Sequence, residues 1–329
     1  MSLKGATLGV YQHHGGLPLA TPGRVDDLPD IGGPSSLTDA QLAEFRENGF
    51  LAMDRLASEG DVEYIRGVIE RLFNRRAGHD EGAHFNFSGD DDDPDAPQFP
   101  QILVPCNYED GLRKTGLFRQ ASDIARQILG RKALFVGDHT LNKPALNGPE
   151  TPWHQDEAFR DPNFDYDEIS IWVPLQSVGE ANGCMQFIPG THRAELLPHR
   201  SPNGDRRAHA LECCGGFDVR DAVSCPLLAG GCTIHTGRTL HATGPNHSSA
   251  SRLAYVLNFS VPPRPAAMAR TFPWLEEKET ARMERNREWM RRGGVFVKTW
   301  RLIKRTEPKD YAKMVTGIMR KAAARRKKL

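Results

Sequence analysis

Short apolar runs with a two-residue period mark the central part of the chain. In Ile169–Leu175 the apolar side chains alternate with Ser170 and Trp172, which is the period of a β-strand with two different faces. Similar runs lie between Gly, Pro and Asn residues at Met185–Ile188, Thr233–Thr236 and Leu253–Phe259. Residues from about 134 to 260 are therefore predicted to form a β-sandwich or barrel.

Helical periodicity appears on either side of this region. Thr38 and Gln41 form a capping-box pattern that starts a helix, and Gly49 ends it. A second helix is predicted over about 60–76, and the charge-rich pattern beyond 275 again indicates helix. The predicted organisation is a flexible Gly- and Pro-rich arm at 1–36, a mainly β domain with flanking helices at 37–275, and a basic helical extension at 276–329.

Composition narrows the class of protein. With 39% apolar and 26% charged residues in 329, the chain is typical of a globular protein. It has no apolar stretch of the ~20 residues that a membrane span needs and no secretory signal pattern, so a cytoplasmic location is expected. Six cysteines without a C-x-x-C spacing are interpreted as reduced thiols.

Charge is distributed unevenly along the chain. Residues 291–329 hold 14 Lys or Arg and 2 acids, although the whole chain has a net charge of +1. Runs of charge are usually solvated helix faces, so this segment is interpreted as a solvated helix surface, and no nucleic-acid partner is expected. The opposite extreme, the acidic segment Asp90–Asp93, is predicted to be an exposed loop.

The first candidate for chemistry is a pair of residues in Trp153-His154-Gln155-Asp156. His154 and Asp156 stand two residues apart, and in an extended chain residues at this spacing project to the same side. They can offer one nitrogen and one oxygen to a single divalent metal ion. His-x-Asp also occurs by chance, so a third ligand is needed.

Two histidines in the segment 230–241 can supply that third ligand. His235 and His241 are both candidates, and either lies too far along the chain to reach the first pair by a local turn. The two segments must then be neighbouring strands, which a jelly roll provides. Two histidines and one carboxylate occupy one face of an octahedral ion, the arrangement of Fe(II) oxygenases.

An arginine at the start of a strand suggests what else binds there. Arg252 opens the alternating run 252–259, where an inward guanidinium would be a costly buried charge unless paired. Its planar group suits a carboxylate, and the small side chains of Ala254 and Val256 leave room for a slender diacid. A cosubstrate that chelates metal at one end and carries a carboxylate at the other, such as 2-oxoglutarate, satisfies both features.

These residues occur in an order that resembles a known family. The sequence elements are Leu37-Thr38-x-x-Gln41-Leu42-x-x-Phe45-x-x-x-Gly49-Phe50, Trp153-His154-Gln155-Asp156, Asn182-Gly183-Cys184-Met185, Pro189-Gly190-Thr191-His192, and His241-x-x-Gly244-Pro245-Asn246-x-Ser248-x-x-x-Arg252. Over roughly 38–260 the chain resembles the phytanoyl-CoA dioxygenase family of Fe(II)/2-oxoglutarate enzymes. The resemblance implies a double-stranded β-helix, a cupin-like jelly roll.

The resemblance also implies roles for individual residues. The implied iron ligands and catalytic residues are His154, Asp156 and His241. The implied contacts of 2-oxoglutarate are Arg252 and Thr243 at its far carboxylate, Trp172 in the pocket wall, and Gln155, Asn142 and Gln101 near the other carboxylate or the substrate.

The implied reaction uses Fe(II), 2-oxoglutarate and O2 to oxidise a small organic substrate with release of succinate and CO2. Because Asp156 keeps its carboxylate, hydroxylation is expected rather than halogenation. The basic stretches would favour an anionic substrate, and its selection is expected to depend on the loops 78–110, 157–168 and 192–230. A Zn-dependent hydrolase and a non-catalytic metal-binding module are the alternatives, and the hydrolase gives Arg252 no role.

Overall fold

Helices flank both ends of the region that the structure describes. The computed structural model describes residues 36–93, 95–268 and 270–305. The helices are α1 (Asp39–Asn48), α2 (Glu59–Asn74), α3 (Gly116–Leu129), α4 (Pro273–Glu276), α5 (Ala281–Trp289) and α6 (Val295–Arg305), with a π-helical turn at Met290–Gly294. The predicted arm at 1–36 lies almost entirely outside these ranges. So does the end of the basic extension, and the domain division stays a prediction.

Fifteen strands of the described chain form the rest of the framework. They are β1 (Phe50–Met53), β2 (His84–Asn86), β3 (Pro100–Leu103), β4 (Leu134–Lys143), β5 (Thr151–His154), β6 (Phe164–Asp165), β7 (Glu168–Pro174), β8 (Met185–Phe187), β9 (His199–Arg200), β10 (Glu212–Cys213), β11 (Val223–Cys225), β12 (Cys232–Thr236), β13 (His241–Thr243), β14 (Arg252–Ser260) and β15 (Arg264–Pro265). The predicted mainly β fold with flanking helices is confirmed.

Two antiparallel sheets carry the architecture. The larger has seven strands in the order β1-β12-β7-β14-β4-β3-β2, and the smaller has four in the order β11-β8-β13-β5. Side chains from both sheets meet in one apolar cluster that includes Trp172, Phe187 and Val256. The helices α2 and α3 contribute their buried residues to a second cluster with the larger sheet. The space between the two sheets is therefore separate from the helix-packed layer.

Strand β7 shows how the sequence determines the two faces of the larger sheet, one packed on the helices and one turned to the smaller sheet. Ile169, Ile171 and Val173 belong to the helix-packed cluster, whereas Ser170 and Trp172 face a cavity between the sheets. Full burial of each aliphatic side chain contributes about 1.5–3 kcal/mol, so the strand cannot slip by one residue without exposing this face. The two-faced strand predicted from the alternation is confirmed.

The start of the domain is fixed by helix α1. Thr38 and Gln41 form both hydrogen bonds of the capping box, and Gly49 ends the helix in the left-handed conformation with φ 82°. A Cβ atom at Gly49 would meet the His192 ring and would lie 2.7 Å from Thr239 Oγ1. The helix bounds and the terminal glycine predicted from the sequence are confirmed.

Replacing Gly49 with alanine is therefore expected to lower the free energy of unfolding by about 1–3 kcal/mol, because alanine disfavours a positive φ and has no space here. Chemical denaturation measures the change. Gly60→Ala is the matched control, since a Cβ at that helical position has nothing within 4 Å and should be neutral or stabilising. Equal stability of both variants would contradict the interpretation.

The acidic segment differs from its prediction. Asp92, Asp93 and Asp95 are exposed as predicted, but Asp90 and Asp91 are half-buried, because Arg207 pairs with Asp90 and Arg285 of α5 pairs with Asp91. Neutralising partners distant in sequence thus allow these carboxylates to pack. No helix in the described ranges is both long and apolar enough to cross a membrane.

Candidate metal centre

Two strands of the smaller sheet bring three potential metal ligands together. His154 at the end of β5 and His241 at the start of β13 are cross-strand partners. Asp156 follows two residues after His154 and opens a short 3-10 helix, Asp156–Phe159. The Nε2 atoms of His154 and His241 each lie 3.7 Å from Asp156 Oδ1, and one ligand atom from each residue lies within 4.8 Å of the others. Atoms this close can share one ion.

Backbone hydrogen bonds fix which nitrogen of each imidazole is available. Nδ1 of His154 donates to the carbonyl of Pro152, and Nδ1 of His241 donates to the carbonyl of Thr239, both at 2.8 Å. Each Nε2 therefore presents a lone pair, the usual state of a metal-bound histidine. Burial lowers the pKa of both rings, so both are neutral and ready to coordinate near pH 7.

A chain of side chains from the larger sheet orients Asp156. Ser170 Oγ donates to Asp156 Oδ2 at 2.7 Å, and Asn258 Nδ2 donates to Ser170 Oγ at 2.9 Å. His139 Nδ1 lies 3.2 Å from Asn258 Oδ1. With Oδ2 engaged, Oδ1 is left facing the two histidines. The carboxylate is thus set to offer one oxygen to an ion.

His235, the rival ligand, lies beside this trio rather than within it. Its ring centroid is 4.3 Å from that of His241, and its Nε2 lies 3.4 Å from Asp156 Oδ2, the oxygen turned away from the trio. Burial alone would raise the pKa of Asp156, but the neighbouring imidazoles, His235 first, lower it well below its usual value. His235 thus favours the ionised carboxylate without sharing the position of a ligand.

Arg252 lines the cavity, is buried, and forms no ion pair with any residue that the structure describes. It is 1% exposed, and its Nε and Nη1 atoms have no hydrogen-bond partner among the described residues. Its guanidinium lies 5.4 Å from the centroid of the Trp172 ring. Burial lowers its pKa to about 10, which leaves it charged at neutral pH. A charge buried at this cost, with orphaned donors, fits a bound anion.

The other predicted contacts divide into two groups. Thr243, Trp172 and Gln101 line the cavity with the metal centre. Asn142 and Gln155 are not among its lining residues; Asn142 follows the lining residue Leu141 on β4 and takes the other face of the strand.

The side-chain amide of Gln155 instead forms hydrogen bonds with the backbone of two neighbouring segments. Gln155 is fully buried, its Nε2 donates to the carbonyl of Arg238, and its Oε1 accepts from the backbone of Leu197.

The cavity has an empty volume of about 850 Å³, which includes space open to solvent at its mouth. An aromatic wall runs from the metal centre outward. The ring centroid of Phe159 lies 6.0 Å from that of His154. The rings of His209, Phe87 and Phe99 follow in that order, and the centroids of successive rings are 5.6–5.9 Å apart. Burial lowers the pKa of His209 well below its usual value, so this wall is neutral. The segments 78–110, 157–168 and 192–230 each contribute residues to this wall, and their role in substrate selection stays a prediction.

Sequence reasoning missed several residues of the site. Ser170, Asn258 and His139 hold Asp156 in place, and His209 lines the cavity, but none of the four was predicted as a site residue. The polar residues inside the alternating runs at 168–174 and 252–260 were the available signal. It identified the inward face of each strand but not which strands are neighbours.

These features define the class of protein: a mainly β chain whose two sheets enclose a His/Asp/His metal-binding set beside a buried arginine. The family model for phytanoyl-CoA dioxygenase (PhyH) matches residues 45–254. The chain belongs to the phytanoyl-CoA dioxygenase family of Fe(II)/2-oxoglutarate oxygenases.

Curated relatives agree with this membership. The probable alpha-ketoglutarate-dependent hypophosphite dioxygenase of Stutzerimonas stutzeri is 29% identical over 163 residues, covering 49% of this chain and 56% of that protein. The peroxisomal phytanoyl-CoA dioxygenase of Bos taurus is 25% identical over 228 residues, covering 66% of each. The matches thus span between about half and two thirds of these relatives' lengths.

A solved structure matches more completely. EvdO2 from Micromonospora carbonacea var. aurantiaca, crystallised in complex with 2-oxoglutarate, is 31% identical with a TM-score of 0.63. The match covers 74% of this chain and 99% of EvdO2. The chain therefore resembles EvdO2 in fold over nearly the whole length of that protein.

Proposed function

We propose that this chain is an Fe(II)- and 2-oxoglutarate-dependent dioxygenase that hydroxylates a small organic substrate. The observation that carries the proposal is the placement of His154, Asp156 and His241 around one point, beside an Arg252 whose buried Nε and Nη1 find no hydrogen-bond partner in the described part of the chain. The two sheets facing across this site support a double-stranded β-helix core.

The donor set fits ferrous iron. Two neutral imidazole nitrogens and one carboxylate oxygen bind one face of an octahedral ion and leave three positions for reactants. A bound ferrous ion would supply O2 activation coupled to the conversion of 2-oxoglutarate to succinate and CO2. Ser170 and its partners keep Asp156 in position as a ligand through a single oxygen.

The far end of the cosubstrate is assigned to Arg252. Its planar guanidinium can form two hydrogen bonds with a carboxylate in a site closed to water, which strengthens both. Thr243 adds a hydroxyl at the same end, and Trp172 walls the cavity beside the guanidinium. Gln101, whose buried Oε1 lacks a partner, remains available for the near carboxylate or the substrate.

The reaction outcome is inferred from Asp156. Its carboxylate occupies the position that halogenating enzymes of this superfamily leave for chloride, which supports hydroxylation. For the substrate, the neutral aromatic wall favours an uncharged reacting part over the anionic substrate expected from the basic stretches. The cavity arginine Arg160 is already bound to Glu168 at 3.0 and 3.1 Å.

Succinate release tests the proposed activity. Purified protein loaded anaerobically with Fe(II) and then given O2 and 2-oxoglutarate should release succinate slowly alone and faster with an accepted substrate. His154→Ala should abolish both rates, since two ligands hold iron poorly, whereas the exposed His247→Ala should not. Zinc retained through purification, with no succinate from the iron-loaded protein, would instead point to a hydrolase or a non-catalytic module.

A further inference from the structure

Lys143 is a second buried basic residue at the Arg252 end of the cavity. It is the last residue of β4 and the direct cross-strand partner of Arg252 on β14. The side chain is 0% exposed, and its Nζ donates to Thr243 Oγ1 at 2.8 Å and to the carbonyl of Gly244 at 2.5 Å. Nζ also lies 5.0 Å from the centroid of Phe99. A fully buried lysine at this point requires an explanation.

No acid among the described residues forms an ion pair with either cation. The groups facing Lys143 are Arg252 from β14, Thr243 and Gly244 from β13 and the Phe99 ring, and the nearest influence of opposite sign is Glu150, which forms no ion pair with it. Two positive charges side by side, with no acid paired to either, are unfavourable. A ligand that carries a carboxylate to this end of the cavity would offset their repulsion.

A line of hydroxyl groups connects Lys143 to the cavity. Lys143 Nζ donates to Thr243 Oγ1, and Thr243 Oγ1 donates to Thr151 Oγ1 at 2.9 Å. Both threonines line the cavity, but Lys143 does not. Lys143 therefore acts on a ligand through these two hydroxyls: Thr243 Oγ1 accepts from Nζ and donates its proton to Thr151, which leaves the Thr151 hydroxyl proton free for a ligand.

We propose that Lys143 is a positioning residue for the distal carboxylate of 2-oxoglutarate, and that it takes up a proton when this carboxylate binds beside Arg252 and the Thr243–Thr151 pair. The end of the cavity then carries two positive charges only in the complex, so the unliganded protein avoids their repulsion. The inference rests on the proposed function, because it assigns a role toward that cosubstrate.

The pKa of Lys143 determines how 2-oxoglutarate affinity depends on pH. Burial, and then the charge of Arg252, lower the pKa of Lys143 to about 6 in the unliganded protein, so it is mostly neutral above pH 6. A bound carboxylate favours the charged form and raises this pKa. Below the lower pKa Lys143 is charged in both states and binding takes up no proton. Between the two values binding takes up a proton, and 2-oxoglutarate affinity falls as pH rises.

Calorimetry of the anaerobic Fe(II)-loaded protein measures this uptake. Titrations at about pH 7–8 in buffers of different ionisation enthalpy give the number of protons bound. 2-Oxoglutarate is compared with 2-oxobutyrate, which chelates iron in the same way but lacks the distal carboxylate. The wild-type protein should take up close to one more proton with 2-oxoglutarate than with 2-oxobutyrate, and this comparison requires no variant.

Lys143→Met should remove that extra proton and weaken 2-oxoglutarate binding by about 10-fold or more, with unchanged 2-oxobutyrate affinity as evidence of an intact site. Lys278→Met is the control, since Lys278 is also buried but donates only to the carbonyls of Ala208 and Ala210. Equal proton uptake with both ligands, or uptake that persists in Lys143→Met, would overturn the inference. A wild-type protein that binds 2-oxobutyrate but not 2-oxoglutarate, or neither, would overturn the proposed function first.

Discussion

Arg252→Met is expected to weaken 2-oxoglutarate binding by roughly 30-fold to several thousand-fold, which corresponds to 2–5 kcal/mol for removing one partner of a buried charge pair. The structure gives the reason: Arg252 is 1% exposed, and its Nε and Nη1 have no hydrogen-bond partner among the residues that the structure describes. A carboxylate that entered the site would lose its strongest hydrogen bonds. Methionine keeps much of the side-chain volume, so the loss is electrostatic rather than one of packing.

The measurement is calorimetric titration of the anaerobic Fe(II)-loaded variant with 2-oxoglutarate. Iron affinity should stay near the wild-type value, because Arg252 contacts none of the three ligands. Arg264→Met is the matched control, since Arg264 lies exposed on β15 and should not affect binding. Wild-type affinity in Arg252→Met would show that the carboxylate binds elsewhere, and the diacid assignment would then be wrong.

His241→Ala is expected to reduce Fe(II) affinity by more than about 100-fold and to abolish succinate release, whereas His235→Ala should reduce affinity by less than about 100-fold. The expected difference in Fe(II) affinity follows from where the two imidazole rings lie relative to Asp156. Nε2 of His241 faces Asp156 Oδ1 together with His154, but His235 approaches the other carboxylate oxygen. Loss of His235 removes a neighbour of the carboxylate, while loss of His241 removes a ligand.

Equilibrium dialysis of Fe(II) under anaerobic conditions compares the two variants. Circular dichroism provides the control for folding, because both histidines are buried in strands. The reverse order of affinities would make His235 the ligand and would require Asp156 to bind through Oδ2. Equal losses would indicate that both histidines hold the ion.

Much of this site was predictable from local patterns. The two-residue period of 169–175 identified both faces of β7, and the same rule placed His154 and Asp156 on one side of an extended segment. The third ligand required the inference that distant strands are neighbours, and the pairing of His241 with His154 agrees with it. Local rules suffice where one strand or one turn fixes the geometry.

The residues that sequence reasoning missed depend on strand register. Ser170 donates a hydrogen bond to Asp156, and the register of β7 and β14 places Asn258 opposite Ser170, where it supports that bond. No local sequence pattern specifies this register. Lys143 lies opposite Arg252 for the same reason. The acidic segment was predicted to be exposed because its partners Arg207 and Arg285 are more than a hundred residues away in sequence.

In the proposed site, one ferrous ion binds His154, Asp156 and His241 and leaves positions for 2-oxoglutarate to chelate it. Anaerobic titration of the Fe(II)-loaded protein with 2-oxoglutarate, followed by visible absorption, detects this chelation. We expect a charge-transfer band that saturates at one equivalent of 2-oxoglutarate and is missing in His241→Ala. A wild-type protein that holds iron but develops no band would contradict the proposed site.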